Sequence, residues 1–469
     1  MIDSFDLAGI LGGSAAELRE AAARCRRCGS CQQVCPVFAS EERERASPRG
    51  RLQLLDAYLG RELRPSRDLA DTISLCLGCG ACTEHCPNNV RAGEILLAGK
   101  GVLRDLRPSR GQPIRAALGR PGLLRKAAAA GRLLRPLWAR RVPADRGLHL
   151  RWTAGKAMQG RRLPPLAQAF LGKLWKREDL SPGLPLPEGE GEPCTSAGVT
   201  AEAPGPEKVV GLFPGCVSTY LTPDAALGAA RILRGRGFAV ELPDGLGCCG
   251  LAMLAAGDRR AAVRAVQRNL DALDPQRYDR IVTPCASCAA MLKQYMPALA
   301  RELDAASAER AEQIAGKVQV LSQALLPGSR SGDPPSTAAT PKPGTRNQEP
   351  ATVSRAASAR LTYHLPCHLA HALGDRESGP RALSELAGAQ YVEAEGFDEC
   401  CGHGGLFSLN HPEVSSRIGA RKAERLLATG ARAVVTECSG CLLQLYDLVG
   451  REDPSVEVLW LAEAVERWG

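Results

Sequence analysis

A twelve-residue cysteine run, Cys25-Arg-Arg-Cys28-Gly-Ser-Cys31-Gln-Gln-Val-Cys35-Pro36, restricts what this chain can fold into more than any other stretch. Its cadence is C-x2-C-x2-C-x3-C-P, and it recurs as Cys76-Leu-Gly-Cys79-Gly-Ala-Cys82-Thr-Glu-His-Cys86-Pro87. Three thiolates at this spacing wrap one face of a cube, and the fourth, followed by a helix-stopping proline, is thrown toward the other site. The doubled run therefore predicts two 4Fe–4S cubanes with crossed ligands. Cys25, Cys28, Cys31 and Cys86 hold one, and Cys35, Cys76, Cys79 and Cys82 the other. Structural zinc sites pair their ligands and do not use four cysteines in this cadence.

The run is that of bacterial two-cluster ferredoxins, and the rest of the cysteines extend the theme. Of 19, eighteen fall into four ordered groups and only Cys194 stands alone. Tight C-x2-C and Cys-Cys pairs in a 469-residue chain do not suit a secreted disulfide framework and point to a reducing, cytoplasmic compartment. The N-terminal Met1-Ile-Asp-Ser-Phe-Asp lacks the basic and apolar regions of a signal peptide, and no run of about 18 apolar residues is present to span a membrane.

Charge is unevenly placed. Between Lys100 and Asp179 there are 20 Lys or Arg against 4 Asp or Glu, an excess of 16 positive charges in a chain whose total is +9. The remainder is therefore net negative, and the basic character belongs to one connecting segment. Such a segment can dock an acidic subunit or an anionic membrane surface, or it can simply present solvated basic helix faces. It carries no zinc-finger or other nucleic-acid signature, so no nucleic acid is expected.

Read in order, residues 1–99 form an α-helical two-cluster domain. Asp6–Arg24 reads as one short helix, Ser47-Pro-Arg-Gly-Arg51 leads a helix through Leu59 packed between the clusters, and Ala70–Leu75 reads as another. Arg49 and Arg51 lie near the cluster loops, where they either raise a cluster potential or are only solvated. Residues 100–180 are a basic helical connector, with the helical pattern of Ala116–Leu137 broken by Gly119-Arg-Pro-Gly122 and by Gly131. Pro-, Gly- and Glu-rich residues 181–207 read as a flexible linker. Short apolar strands then alternate with helices over 208–326 and again over 359–469, separated by a disordered linker at 327–358.

The two strand–helix regions are copies. Cys216 to Cys248 is 32 residues and Cys367 to Cys400 is 33; Cys249 to Cys285 is 36 and Cys401 to Cys438 is 37. Each copy puts cysteines just after three strands, the edge where open α/β sheets bind ligands. The expected fold is thus an α+β and α/β multidomain chain. Cys216, Cys248, Cys249, Cys285 and Cys288 form one candidate metal set, and Cys367, Cys400, Cys401, Cys438 and Cys441 the other. Five sulfurs are one too many for tetrahedral zinc, and vicinal pairs suit an assembly whose neighbours bind different irons.

On these residues the halves resemble the cysteine-rich CCG domains (C-xn-CCG-xm-C-x2-C) of heterodisulfide reductase catalytic subunits and of 2-hydroxy-acid oxidase iron–sulfur subunits. The whole order, over residues 20–100 and 208–460, most resembles glycolate oxidase (glycolate dehydrogenase) iron–sulfur subunits. That resemblance implies an oxidoreductase component relaying electrons from a flavin-binding partner, which oxidises glycolate or D-lactate, toward a quinone or other acceptor at the membrane. FAD would sit on the partner, since the chain shows neither G-x-G-x-x-G nor a Walker loop. Both five-cysteine sets are complete, as in heterodisulfide reductase subunits that hold noncubane 4Fe–4S clusters, and this implies an alternative activity on disulfides or thiols. His364, His368, His371 and His403 flank the second set and could donate a proton or hydrogen bond to a cluster sulfur. No catalytic residue is otherwise assigned.

Overall fold

A computed structural model describes residues 7–107, 111–141, 147–150, 161–165, 167, 169–177, 208–326, 359–387 and 389–469. The linkers expected at 181–207 and 327–358, with Cys194, lie outside the described residues.

The N-terminal region is all helical. Where one helix was expected over Asp6–Arg24 there are two, Leu7–Gly12 and Ala15–Ala23. Gly12-Gly13 ends the first, and Ser14 restarts the chain through a capping box with Glu17. Ser47 caps Pro48–Leu59, whose Leu52 and Leu55 enter a core with Leu18, Ile73, Ile95 and Leu96. Helices Arg67–Ser74 and Ala92–Val102 complete the frame that holds both cysteine runs.

The connector contains Gln112–Leu118, Pro121–Leu133 and Arg135–Trp138. Gly131 does not break the helix, contrary to expectation. Nothing lies within 4 Å of where its Cβ would be, and its carbonyl accepts the indole N–H of Trp138 at 2.8 Å. The connector is not helical throughout either: Ala139–Arg141, Leu148–Leu150 and Arg162–Leu163 form a small antiparallel sheet. That sheet is anchored on the second repeat, where Asp447 accepts the Arg162 N–H at 2.8 Å.

Each repeat is a four-stranded parallel sheet with flanking helices. In the first, the strands Val209–Leu212, Ala239–Glu241, Arg280–Thr283 and Val318–Val320 lie in the spatial order second-first-third-fourth. Arg360–Tyr363, Gln390–Tyr391, Ala433–Thr436 and Glu457–Trp460 adopt the same order in the second. The fourth strand of each was not anticipated, and the strand expected over Ala389–Glu393 shortens to two residues at the sheet edge. In both sheets the first and third strands are adjacent and their crossovers depart to opposite sides. The crevice at their carboxyl ends is the switch point of an open parallel sheet.

The two repeats share one core, which includes Phe213, Ile281, Met291, Tyr363, Val434 and Trp460. The last helix, Leu461–Trp468, lies on Asp224–Gly235 of the first repeat, with Arg231 paired to Glu466 at 2.6 Å. Between the sheets, Ser322 N–H and the Tyr363 hydroxyl both donate to buried Glu437, at 2.9 and 3.0 Å.

Candidate metal centres

The two ferredoxin-type loops have the same backbone shape. Arg27 and Gly78 occupy equivalent positive-φ positions at 59° and 71°, and Gly29 and Gly80 do so at 91° and 85°. These left-handed steps turn the chain inward between successive cysteines. A Cβ at Gly29 would also meet the Arg49 guanidinium at 2.9 Å, so a larger residue there would have to push that side chain aside.

The cysteines gather in the crossed arrangement. One cavity is lined by Cys25, Cys28, Cys31 and Cys86 together with Arg49 and Leu52. Another is lined by Cys35, Cys76 and Cys79 together with Arg51. Cys82 touches both. Backbone N–H groups point at the sulfurs, from Phe38 to Cys35, Gly78 to Cys76 and Val90 to Cys86, at 3.4, 3.4 and 3.3 Å.

The two arginines singled out in the sequence differ. Arg51 is 2% exposed and donates to the Cys35 sulfur at 3.5 Å and to the Ser47 carbonyl at 3.2 Å, leaving Nη1 without a protein partner. Arg49 is more open and is bound by Glu44 at 2.7 Å, with a second bond to the Arg27 carbonyl at 3.0 Å. Burial pushes the Cys79 and Cys82 thiols up, Cys79 in part through the nearby Cys367. Cys28, at the surface, is lowered by its contact with Ser30.

In the repeats the ten cysteines form a continuous file of neighbouring thiols. From the first repeat it runs Cys216, Cys248, Cys249, Cys288, Cys285, then crosses to Cys438, Cys441, Cys401, Cys400 and Cys367. The order is a palindrome: each repeat contributes the same sequence of positions, read in opposite directions from the junction at Cys285 and Cys438. The Cys401 and Cys441 sulfurs are 3.4 Å apart. Donation from neighbouring thiols holds Cys248, Cys285 and Cys401 well below the ordinary thiol value and pushes Cys216, Cys249, Cys400 and Cys441 well above it.

Serines of the C-x2-C loops reach across the junction. Ser287 Oγ lies 3.1 Å from Cys438 Sγ, and Ser439 Oγ lies 3.3 Å from Cys285 Sγ. Ala286 N–H donates to the Glu437 carbonyl at 2.6 Å. Ser287 also contacts His368 Nδ1 at 2.9 Å, and His368 in turn meets the backbone at Gly78 of the second ferredoxin loop. Cys35, Cys79, Cys367 and Cys400 share one apolar cluster, so the thiol file abuts the second ferredoxin site. Lys100, its pKa lowered to about 8 by burial, ties the same region together by donating to the carbonyls of Cys76 and Ala255 at 2.6 and 2.9 Å.

Of the flanking histidines, His364 is buried with Cys401 and Cys441, and His403 lies over Gly440. His371 instead pairs with Glu84 of the second ferredoxin loop. A cavity of about 550 Å³ holds none of the predicted cysteines; Lys100, Arg104, Arg107, Arg260 and Arg264 are among its lining. Ser287, Ser439 and Glu437 were missed in the sequence, although the two serines stand inside the C-x2-C motifs.

The donor set suits iron–sulfur clusters. All eighteen described cysteines are free thiols. Five thiolates gathered in each repeat, all but Cys216 buried, would repel one another strongly without a polynuclear cation between them, and the unsatisfied Arg51 Nη1 beside the second cavity awaits negative charge.

Comparison with known proteins agrees. A 4Fe-4S dicluster domain model matches residues 21–90, and a cysteine-rich CCG domain model matches 210–293 and 361–446. The chain is 25% identical over 436 residues, 92% of its length and 90% of the relative's, to a Bacillus subtilis protein named as a probable glycolate oxidase iron-sulfur subunit. Lactate utilization protein A of Bacillus subtilis is 27% identical over 55% of this chain and 98% of its own. One fumarate reductase (CoM/CoB) subunit from Methanothermobacter marburgensis is 31% identical over 53% of this chain, which spans only 43% of that relative. These relatives support an oxidoreductase component that transfers electrons through iron–sulfur clusters. The chain thus carries a 4Fe-4S dicluster domain ahead of two cysteine-rich CCG domains.

Proposed function

We propose that this chain is the iron–sulfur subunit of a complex oxidising glycolate, and D-lactate as a second substrate, with the flavin on a separate subunit and a quinone as acceptor. The observation that carries the electron-transfer part is the succession of neighbouring thiols from the two ferredoxin cavities, through the apolar cluster of Cys35, Cys79, Cys367 and Cys400, into the ten-thiol file. The substrate class follows from the two relatives named for glycolate oxidase and lactate utilization.

Cys25, Cys28, Cys31 and Cys86 would hold one cubane and Cys35, Cys76, Cys79 and Cys82 the other. The five-cysteine sets of the repeats would hold two noncubane clusters. Bound clusters supply one-electron redox chemistry. The chain's own groups do the rest: N–H donors aim at the sulfurs, Arg51 places a buried positive charge beside Cys35, and the apolar core around Cys367 and Cys400 excludes water. The basic connector contributes a docking face, although part of its charge turns inward. Arg132 stacks on Phe170 at 3.9 Å and Arg161 binds the Ser408 carbonyl at 3.2 Å. No described helix is long and apolar enough to cross a membrane, so membrane contact would be peripheral.

Completeness of both five-cysteine sets favours a second reading, reduction of a disulfide at the repeats. One experiment separates the two. Anaerobic protein is mixed with a flavin-dependent 2-hydroxy-acid oxidase partner, and glycolate is added while the iron–sulfur absorbance is followed. Bleaching by glycolate or D-lactate supports the first reading. Absence of bleaching, with reoxidation of the dithionite-reduced chain by a mixed disulfide, supports the second.

A further inference from the structure

The two palindromic halves of the thiol file differ in chemistry at the strand end that leads into each set. Three residues before the first cysteine of each set stands Phe213 in the first repeat and His364 in the second, both fully buried. His364 directly follows the strand Arg360–Tyr363. One of its ring nitrogens and the sulfurs of Cys401 and Cys441 all lie within 4.8 Å of one another, and neither nitrogen has a hydrogen-bond partner in the protein as it stands. A buried imidazole with no partner is costly, and these sulfurs are the groups at hand to accept its N–H. The neighbouring loop has the same bias. His403 replaces Leu251 after the Cys-Cys-Gly, and Gly440 replaces Ser287, where a Cβ would meet the His403 ring at 2.7 Å.

We propose that His364 makes the two CCG centres inequivalent, donating its N–H to the Cys401 sulfur so that the second centre has the higher potential. A hydrogen bond to a sulfur ligand stabilises the more negative, reduced state, and Phe213 gives the first centre no such donor. His364 is here a positioning and tuning residue, not a ligand, because the five sulfurs of its set are complete. The inference rests on the reading that both five-cysteine sets hold clusters.

The test is an EPR-monitored redox titration of the full chain, reconstituted anaerobically. A Cys249→Ser background removes the first set and isolates the second. Iron in excess of the ferredoxin complement in that background establishes that the second set is loaded; its absence defeats the underlying reading and the inference with it. Given that iron, His364→Phe lowers the midpoint of the second centre by at least tenfold in the one-electron equilibrium constant, about 59 mV. His364→Gln, which keeps an N–H donor, stays closer to wild type. Phe213→His in a Cys401→Ser background moves the first centre the opposite way. An unchanged midpoint in His364→Phe at unchanged iron overturns the inference. So does loss of iron in His364→Phe, which would make His364 a ligand or a structural support.

Discussion

The hydroxyl of Ser287, in the C-x2-C loop of the first repeat, lies 3.1 Å from the sulfur of Cys438 in the matching loop of the second. Each repeat thus supplies part of the other's immediate surroundings. Ser287→Ala is expected to alter the EPR line shape or midpoint of the second-repeat centre more than that of the first, and Ser439→Ala the reverse. Iron content should stay within error of wild type. A perturbation confined to the repeat that carries each mutation would contradict the exchange.

Crossed ligation in the N-terminal domain has its own signature. Cys86→Ser should remove the centre bounded by Cys25, Cys28 and Cys31, although Cys86 belongs to the second run. Cys35→Ser should remove the centre of the second run. Each loss is about four of the roughly eight iron atoms in the ferredoxin domain, by counting ligands. If each variant instead lost the centre of its own run, the crossing would be wrong.

Arg51 and Arg49 separate burial from proximity. Arg51→Met removes a buried charge beside Cys35 and should lower the second ferredoxin potential by roughly tenfold in the one-electron constant, about 59 mV. Arg49→Met should shift the first by much less, since Glu44 already neutralises Arg49 and solvent screens both. Redox titration of the two cubane signals measures both.

The last helix predicts a pH effect on stability. Burial in the cleft beside Asp224 raises the Glu463 pKa to about 7, against an ordinary value of 4.5, despite the bond it accepts from the Trp460 N–H at 2.8 Å. Between those values the folded state keeps a proton that the unfolded chain loses, so stability falls as pH rises from 4.5 to 7 and then levels. Glu463→Gln keeps an acceptor for the cap and should be more stable than wild type by about 1–2 kcal/mol at pH 8, a gap that closes toward pH 5. Urea denaturation at several pH values, under anaerobic conditions, reads the difference.

Much of this was legible because the informative features are local. The cysteine spacings, the positive-φ glycines beside them and the Ser-Pro helix start at residues 47–48 act within a few residues of chain. The doubling of the repeats was visible in the matching intervals. What escaped notice depends on distant partners. Val318–Val320 and Glu457–Trp460 are three- and four-residue strands that run directly into helices and exist only because a parallel neighbour is waiting. Arg162–Leu163 is a strand through its pairing with Leu148–His149 and its bond to Asp447, which an arginine-rich composition does not announce. The meeting of Cys285 with Cys438 is likewise a product of packing between domains.

Exposure along the thiols is graded. Cys28 is open to solvent, Cys25, Cys31, Cys79 and Cys86 are half-buried, the cysteines from Cys248 to Cys441 are buried, and Cys216 at the far end is half-buried again. Oxygen and chelators therefore meet the molecule at the ferredoxin domain, most openly at Cys28, and at the Cys216 end. In air, decay should begin at the first ferredoxin centre and next erode the Cys216 end, while the interior around Cys401 and Cys438 persists longest. The handling history of a preparation would then be written in which signals survive.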